Sequence, residues 1–261
     1  MPYKDPKKQK EAQHKSYLRN KEYIYTRSKE RREEAHESAI KSLENKHIID
    51  VRKWNLWFNR KSVNGYKPCF ISPEEAFDLM VQRCFYCGEF ASTLDRIDSA
   101  KEHTLENCVG CCIYCNQSKG AKDPMSFILQ SVYRRTFIYY ENTDIWHDTK
   151  NKPRYDKYKN HAKRQNKKFD LTKEQFDTLI VGKCHYCHRH PTFVGIDKIH
   201  PDDGYVLDNC VSCCHICNSD KFDCSSEEFT LRDERITQRY LQGYFDNLPY
   251  VDKNTSHHKN A

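Results

Sequence analysis

The pattern of apolar and polar positions in this chain occurs twice. Residues 72–75 (SPEE) and 172–175 (TKEQ) each place a hydroxyl residue three positions before Glu or Gln, which is the capping box that begins a helix. Apolar residues follow at helical spacing in both copies. Short stretches at 92–97 and 193–199 are then typical of strands. The pattern therefore predicts a helix and a strand in each copy, in the same order.

The second part of each copy predicts a hairpin and two further helices. A polar turn at 99–102 or 201–204 leads into a second strand that runs into residues 107–109 or 209–211. A short helix and a longer closing helix complete each copy. Such an internal repeat fixes the architecture. The expected fold class is α+β, with two tandem modules that each contain a β-hairpin followed by a helix.

The flanks and the linker differ from the modules in composition. Residues 1–50 are highly charged and predict a long solvated helical arm, or alternatively a basic arm that lies along a phosphate backbone. We expect module 1 at 51–140, a polar linker at 141–152, module 2 at 153–250 and a disordered tail at 251–261.

Aromatic residues begin each module. Trp54, Trp57 and Phe58 share one helix face, which favours core packing over base stacking. The counterpart in the second copy contains Tyr155 and Tyr158 within a much more basic segment. Phosphate contact is therefore predicted there.

Composition narrows the class of protein. Of 261 residues, 37% are hydrophobic and 31% are charged, so each module has too little apolar material for a large core and needs a staple. The 14 cysteines provide one. No stretch resembles a signal peptide or a membrane span, which predicts a reducing intracellular location or a virion, not secretion. The net charge of +7 favours a polyanionic partner.

Each copy contains two Cys-x-x-Cys pairs. A two-residue spacer lets both thiolates of a turn bind one ion, and four such thiolates match a closed tetrahedral zinc site. Free buried cysteines or disulfides are the alternative. In the pairs 111–112 and 213–214 only one cysteine can easily face the ion, and the other is assigned to packing. The predicted ligands of the two structural zinc ions are Cys84, Cys87, Cys112 and Cys115, and Cys184, Cys187, Cys214 and Cys217.

Further polar residues recur between and after these pairs. An Asp–cation step ends the first strand, and an Asn directly follows the last cysteine. These residues are Asp95, Arg96 and Asn116 in the first copy, and Asp197, Lys198 and Asn218 in the second. Together with the cysteine pairs, this pattern resembles the HNH (ββα-metal) nuclease family over residues 70–130 and 170–232. The resemblance implies that the Asp and Asn of each copy hold a Mg²⁺ or Mn²⁺ ion, which binds the scissile phosphate and stabilises the leaving oxygen.

The sequence departs from the family at the general base. Most HNH enzymes have His directly after that Asp, whereas this chain has Arg96 or Lys198. A PacI-like subset is similar in carrying Asp-Arg here and a catalytic Tyr in the following turn. The resemblance then implies that His103 and Tyr205, which stand at that turn, are the bases. Arg96 and Lys198 would neutralise the phosphate.

These features lead to two predicted functions. The first is a metal-dependent endonuclease that cuts double-stranded DNA, with the two modules acting as an internal pseudo-dimer, or with the chain as a homodimer. The second is a zinc-stapled nucleic-acid-binding or structural protein of a virion or ribonucleoprotein, in which hydrolysis has been lost. A zinc-dependent protein-interaction module is a weaker third hypothesis. The abundance of Lys, Asn, Tyr and Ile favours a viral source.

Overall fold

The computed structural model describes most of the chain after its N-terminal arm: residues 68–138, 145–146 and 151–248, together with Glu30 and Glu34. The chain divides into two units, Met1–Trp57 and Phe58–Ala261. In the first unit, Glu30 and Glu34 are helical and exposed. The rest of the predicted arm, the aromatic helix face at 54–58 and the predicted tail lie outside the described residues.

The second unit contains two halves with the same order of elements. The first half has α1 (Pro73–Met80), β1 (Thr93–Arg96), β2 (Cys108–Cys111), α2 (Ile113–Lys119) and α3 (Pro124–Thr136). The second half has α4 (Tyr155–Arg164), α5 (Lys173–Leu179), β3 (Gly195–Lys198), β4 (Cys210–Cys213), α6 (His215–Lys221) and α7 (Ser226–Leu241). The predicted α+β fold is confirmed: each half combines a short antiparallel hairpin with helices and a group of four cysteines. Among the described residues, no helix has the length and apolar character needed to cross a membrane.

Capping boxes start the helices that the sequence pattern predicted. The Ser72 hydroxyl accepts a hydrogen bond from the Glu75 amide at 3.2 Å, and the Glu75 carboxylate accepts one from the Ser72 amide at 2.8 Å. Thr172 and Gln175 repeat this arrangement at α5. Each box satisfies amides that the first helical turn leaves unpaired, which stabilises the helix by about 1 kcal/mol.

The second strand of each hairpin begins later than the sequence predicted. Residues 105–107 and 207–209 form 3-10 turns, and the strands start at Cys108 and Cys210. In each half an asparagine side chain makes hydrogen bonds to the backbone here, in place of backbone pairing between strands. The Asn107 amide group accepts from the Asp98 amide at 2.9 Å and donates to the Asp98 carbonyl at 3.0 Å. Asn209 makes the same two bonds with His200.

Equivalent elements of the two halves contact each other. Helix α3 packs against α7, and α2 packs against α6. At the second contact the Ser118 hydroxyl donates to the carbonyl of Asp220, which is its counterpart in the other half. Contacts between equivalent surfaces are the mark of an isologous interface. The two halves are thus arranged about an approximate two-fold axis.

The apolar cores cross this interface. Leu129 of α3, with Ile145 and Trp146, packs in the cluster that surrounds the second cysteine group. Ile236 of α7 and Phe245 pack in the cluster around the first group. Ile145 and Trp146 lie in the segment predicted as a polar linker, yet both are buried. Each half therefore completes its core with residues of the other.

A buried ion network joins the closing helices. The Arg134 guanidinium donates to both carboxylate oxygens of Asp233, at 2.5 and 3.0 Å, and to Asp220 at 3.1 Å. Lys122 also pairs with Asp220. The Arg134, Asp220 and Asp233 side chains are almost completely buried. Such charges are tolerated only when they are paired, so the network holds α3 and α7 in one register.

Candidate metal centres and nucleic-acid interface

Two groups of four cysteines have the geometry of metal centres. They consist of Cys84, Cys87, Cys112 and Cys115, and of Cys184, Cys187, Cys214 and Cys217, the eight residues that the spacing predicted. In each group all four sulfur atoms lie within 4.8 Å of one another. The Cys87–Cys112 and Cys187–Cys214 sulfurs are 3.7 and 3.8 Å apart. A tetrahedron with zinc–sulfur bonds of about 2.3 Å has edges of about 3.8 Å, so both groups are compatible with zinc.

The local backbone favours thiolates in these groups. Cys112 and Cys214 are the N-caps of α2 and α6, and their sulfurs accept hydrogen bonds from the amides of Cys115 and Cys217 at 3.4 and 3.5 Å. A helix N-terminus stabilises negative charge. The donor set therefore fits a soft divalent cation such as zinc.

The adjacent cysteines Cys111 and Cys213 stand outside the two groups. Cys111 Sγ lies 3.9 Å from Cys84 Sγ, and both adjacent cysteines are fully buried. Their position at the ends of β2 and β4 makes them core residues beside each centre. Two further cysteines lie outside the repeat: Cys224 is buried, and Cys69 is half-buried.

The predicted metal-binding Asp of each half forms a buried triad with Tyr and Lys. Asp95 accepts from the Tyr86 hydroxyl at 2.7 Å and from the Lys119 ammonium at 3.1 Å. Lys119 also donates to the Arg96 carbonyl at 2.7 Å, and its side chain is completely buried. Burial raises the pKa of the Asp95 carboxyl, while Lys119 and Tyr86 oppose that shift. The triad ties β1, the first cysteine pair and α2 together.

The second half repeats this triad. Asp197 accepts from the Tyr186 hydroxyl at 2.6 Å and from the Lys221 ammonium at 3.3 Å. Sequence reasoning did not assign roles to these lysines and tyrosines. The signal was nevertheless visible, because both copies carry Tyr before the second cysteine and Lys three residues after the Asn.

The two asparagines have different surroundings. The Asn116 amide donates to the Thr93 hydroxyl and to the Leu94 carbonyl, both at 2.9 Å. Glycine, Gly195, takes the place of Thr93 in the second half, where an added Cβ would lie 2.8 Å from the Tyr158 hydroxyl. Strand β3 therefore offers no hydroxyl group to the Asn218 amide. Asn218 lines an open cavity.

The predicted cations after each Asp fold back onto the following turn. Arg96 donates to the Lys101 carbonyl at 2.9 Å, and Lys198 donates to the Pro201 carbonyl at 2.8 Å. Lys167 donates to the same Pro201 carbonyl at 2.5 Å, so two ammonium groups share one acceptor. Burial lowers the pKa of Lys198, and the charge of Lys167 lowers it further.

The two predicted bases occupy matching positions. His103 and Tyr205 each form a single parallel bridge, with Cys69 and Phe169 respectively. The His103 ring nitrogen Nδ1 lies 3.3 Å from the Pro68 carbonyl. Tyr205 is buried in an aromatic cluster, and burial raises its pKa to about 12. That shift opposes proton abstraction by Tyr205 at neutral pH.

A cavity of about 710 Å³ in the second half, here called the basic cleft, unites the predicted residues of this half. Asp197, Lys198, Tyr205 and Asn218 all line it. One wall is α4, a helix that the sequence predicted as a basic segment. The Lys and Arg side chains that line the cleft outnumber its carboxylates, Asp197 and Asp223; they are Lys157, Arg164, Lys167, Lys198 and Lys221. Tyr155 and Tyr158 pack against the core beneath α4, and Tyr158 also lines the cleft.

The fold and its two four-cysteine groups define a class of protein: a tandem, zinc-compatible module protein with a basic cleft. No protein-family profile matches the chain, and no solved structure matches it. An uncharacterized protein of Acanthamoeba polyphaga mimivirus is 29% identical over 174 residues, which cover 62% of this chain and 33% of the relative. The chain thus spans about a third of that relative's length. The match to a viral protein is compatible with the viral source predicted from composition.

Proposed function

We propose that the protein binds nucleic acid through its phosphate backbone and that the basic cleft of the second half is the binding site. The observation that carries this proposal is the charge of the cleft. Lys157 and Arg164 are exposed on α4 and make no ion pair with any other described residue. Lys167 and Lys198 are held side by side on one carbonyl. Lys167 also pairs with the exposed Asp202 at 3.1 Å, and a phosphate between Lys167 and Lys198 would supply a further negative charge to both.

The basic surface continues beyond the cleft. A second cavity of about 550 Å³ lies on the other side of α4 and shares Lys167 with the basic cleft. Lys159, Lys163 and Lys168 line it. A helix with cations on both sides can contact several phosphates of one strand, whereas a single small anion needs only one such site.

Binding is tested by fluorescence anisotropy with duplex DNA, single-stranded DNA and RNA over a range of salt concentrations. We expect the Lys157→Ala/Arg164→Ala variant to reduce the magnitude of the slope of log affinity against log salt by about 1.4–1.8, because each of the two lost phosphate contacts removes about 0.7–0.9. Arg83→Ala/Lys183→Ala removes the same charge from exposed positions outside both cavities and serves as the matched control. Equal slopes for the two variants would contradict the proposed site.

Phosphodiester hydrolysis in the same cleft, as in an HNH-type endonuclease, is the second candidate function. The convergence of Asp197, Lys198, Tyr205 and Asn218 on one cavity favours it. One carboxylate and one amide, completed by water and substrate phosphate, are a donor set that Mg²⁺ accepts. In the present arrangement, however, Asp197 already accepts from Tyr186 and Lys221. The residues as they stand do not fit the ion, and hydrolysis of this type requires Lys221 to release Asp197.

A cleavage assay separates the two candidates. Supercoiled plasmid is incubated with the protein and Mg²⁺ or Mn²⁺, with EDTA as the control. Salt-sensitive binding without cleavage supports binding alone. Metal-dependent cleavage that Asn218→Ala abolishes supports hydrolysis in the basic cleft. Asn116→Ala, at the equivalent position of the first half, reports whether that half also contributes and therefore whether the chain works as an internal pseudo-dimer.

A further inference from the structure

The residue that ends α6 has a backbone conformation that suits glycine. Phe222 has φ 55° and ψ −124°, and its amide donates to the Asn218 carbonyl at 3.2 Å. The equivalent residue that ends α2 is Gly120, with φ 52° and ψ −124°. Side chains are strongly disfavoured in this region because Cβ crowds the backbone. The second half therefore has a bulky side chain at a backbone conformation for which the first half has glycine.

Core packing does not account for Phe222. The residue is 51% exposed and belongs to none of the apolar clusters among the described residues. Its ring also stacks on no other ring and receives no cation within the described part of the chain. Strained backbone of this kind persists at functional sites, where the strained group is needed in one position.

The position of Phe222 indicates which function requires its side chain. Phe222 lines the basic cleft together with Asn218 and Ser219 of the same helix. An exposed aromatic ring beside a row of cations is an arrangement by which proteins hold a strand, since the cations contact phosphates and the ring stacks on a base.

We propose that Phe222 stacks on a nucleobase of the strand whose phosphates lie in the basic cleft. The base must be unpaired or displaced from its own stack, because both faces of a paired, stacked base are covered. This inference rests on the proposed nucleic-acid binding. It makes the halves unequal, because Gly120 offers no ring at the corresponding place.

The test uses Phe222→Gly, which installs the residue found in the first half. We expect this variant to unfold at a higher denaturant concentration than wild type, because glycine relieves the strain. We also expect it to bind an intact single strand roughly tenfold more weakly, which is the order of a stacking contribution. Its affinity for a strand with abasic sites should match that of wild type. Phe222→Trp, which keeps an aromatic ring, should retain the preference for intact over abasic strands.

The outcomes separate this inference from the proposed function. If Phe222→Gly binds intact and abasic strands as wild type does, while Lys157→Ala/Arg164→Ala loses affinity, the stacking proposal is wrong and the cleft proposal stands. If wild type shows no salt-dependent binding to either strand, both proposals fail. Lower stability of Phe222→Gly would show that the ring contributes to folding, and it would overturn the argument from strain.

Discussion

Substitution of Arg134 should lower the free energy of unfolding by more than a typical single substitution does. The Arg134 guanidinium spans the interface of the two halves and is the partner of both Asp233 and Asp220. Arg134→Met keeps most of the side-chain length but removes the ion-pair partner of Asp233, which the buried Arg232 then reaches only through its charge. Asp220 retains Lys122. The perturbation is therefore one buried, unpaired carboxylate between α3 and α7.

The magnitude follows from this geometry. The Asp233 side chain is 2% exposed, so water cannot replace the two hydrogen bonds that it loses. Breaking a buried ion pair by removing one partner costs about 3–5 kcal/mol, because the remaining charge is uncompensated. Domains of this size are stable by only about 5–15 kcal/mol. A substitution at one position should thus consume a large part of the total stability.

Chemical denaturation followed by circular dichroism, at constant zinc, measures this loss. The control is Arg135→Met, because Arg135 pairs with Glu234 at 3.7 Å at the surface and should contribute below about 1 kcal/mol. A rescue variant combines Arg134→Met with Asp233→Ser. Ser131 is the residue at the equivalent position of the other half.

We expect the rescue variant to regain most of the lost stability, because replacing a complete buried pair is often neutral. The reasoning is refuted if Arg134→Met is no more destabilising than Arg135→Met, or if Asp233→Ser brings no recovery.

Three further predictions concern the cysteine groups and the scaffold. Cys115→Ser should remove one of two bound zinc ions, whereas Cys111→Ser should retain both; equal zinc content in the two variants, by elemental analysis, would contradict the assignment. Ser225→Ala should lower the free energy of unfolding by about 1 kcal/mol, because it removes the capping box of α7; an unchanged denaturation midpoint would show that the cap contributes nothing. Gly110→Ala should cost at least about 2 kcal/mol, because the new Cβ would lie 2.0 Å from the Leu79 carbonyl oxygen; a native-like melting curve would contradict that close approach.

The parts of this structure that the sequence predicted are those with a local signal. The two-residue spacing of the cysteines depends only on one turn, and both four-cysteine groups contain the cysteines chosen from it. The capping boxes at residues 72–75 and 172–175 are equally local, and each begins a helix. The repeat itself then indicated that the second half would copy the first.

The contacts between the halves had no such signal. Arg134 and Asp233 are 99 residues apart, and nothing in either helix identifies the other as its partner. Ile145 and Trp146 were hidden in a segment whose other residues are mostly polar. The strain at Phe222 was partly visible, because alignment of the two copies places it opposite Gly120. Its meaning needed the backbone angles and the exposed ring.

Comparison of the two halves also separates scaffold from chemistry. The Asp–Tyr–Lys triad is the same in both halves, with distances that differ by 0.2 Å or less: 2.7 and 3.1 Å at Asp95, 2.6 and 3.3 Å at Asp197. A triad this buried fixes the hairpin to the cysteine group whether or not a reaction occurs. Loss of function on substitution of either Asp would therefore not distinguish a catalytic role from a structural one.

The positions that differ between the halves are more informative. Arg96 is replaced by Lys198, and Gly120 is replaced by Phe222. In the second half both replacements lie at the basic cleft, where they change the shape and hydrogen-bonding geometry of one cation and add a stacking surface. If the second half binds nucleic acid as proposed, exchanging the residue pair 198 and 222 for Arg and Gly should alter affinity and base preference while both zinc ions remain bound. A change in zinc content would instead show that these positions belong to the scaffold.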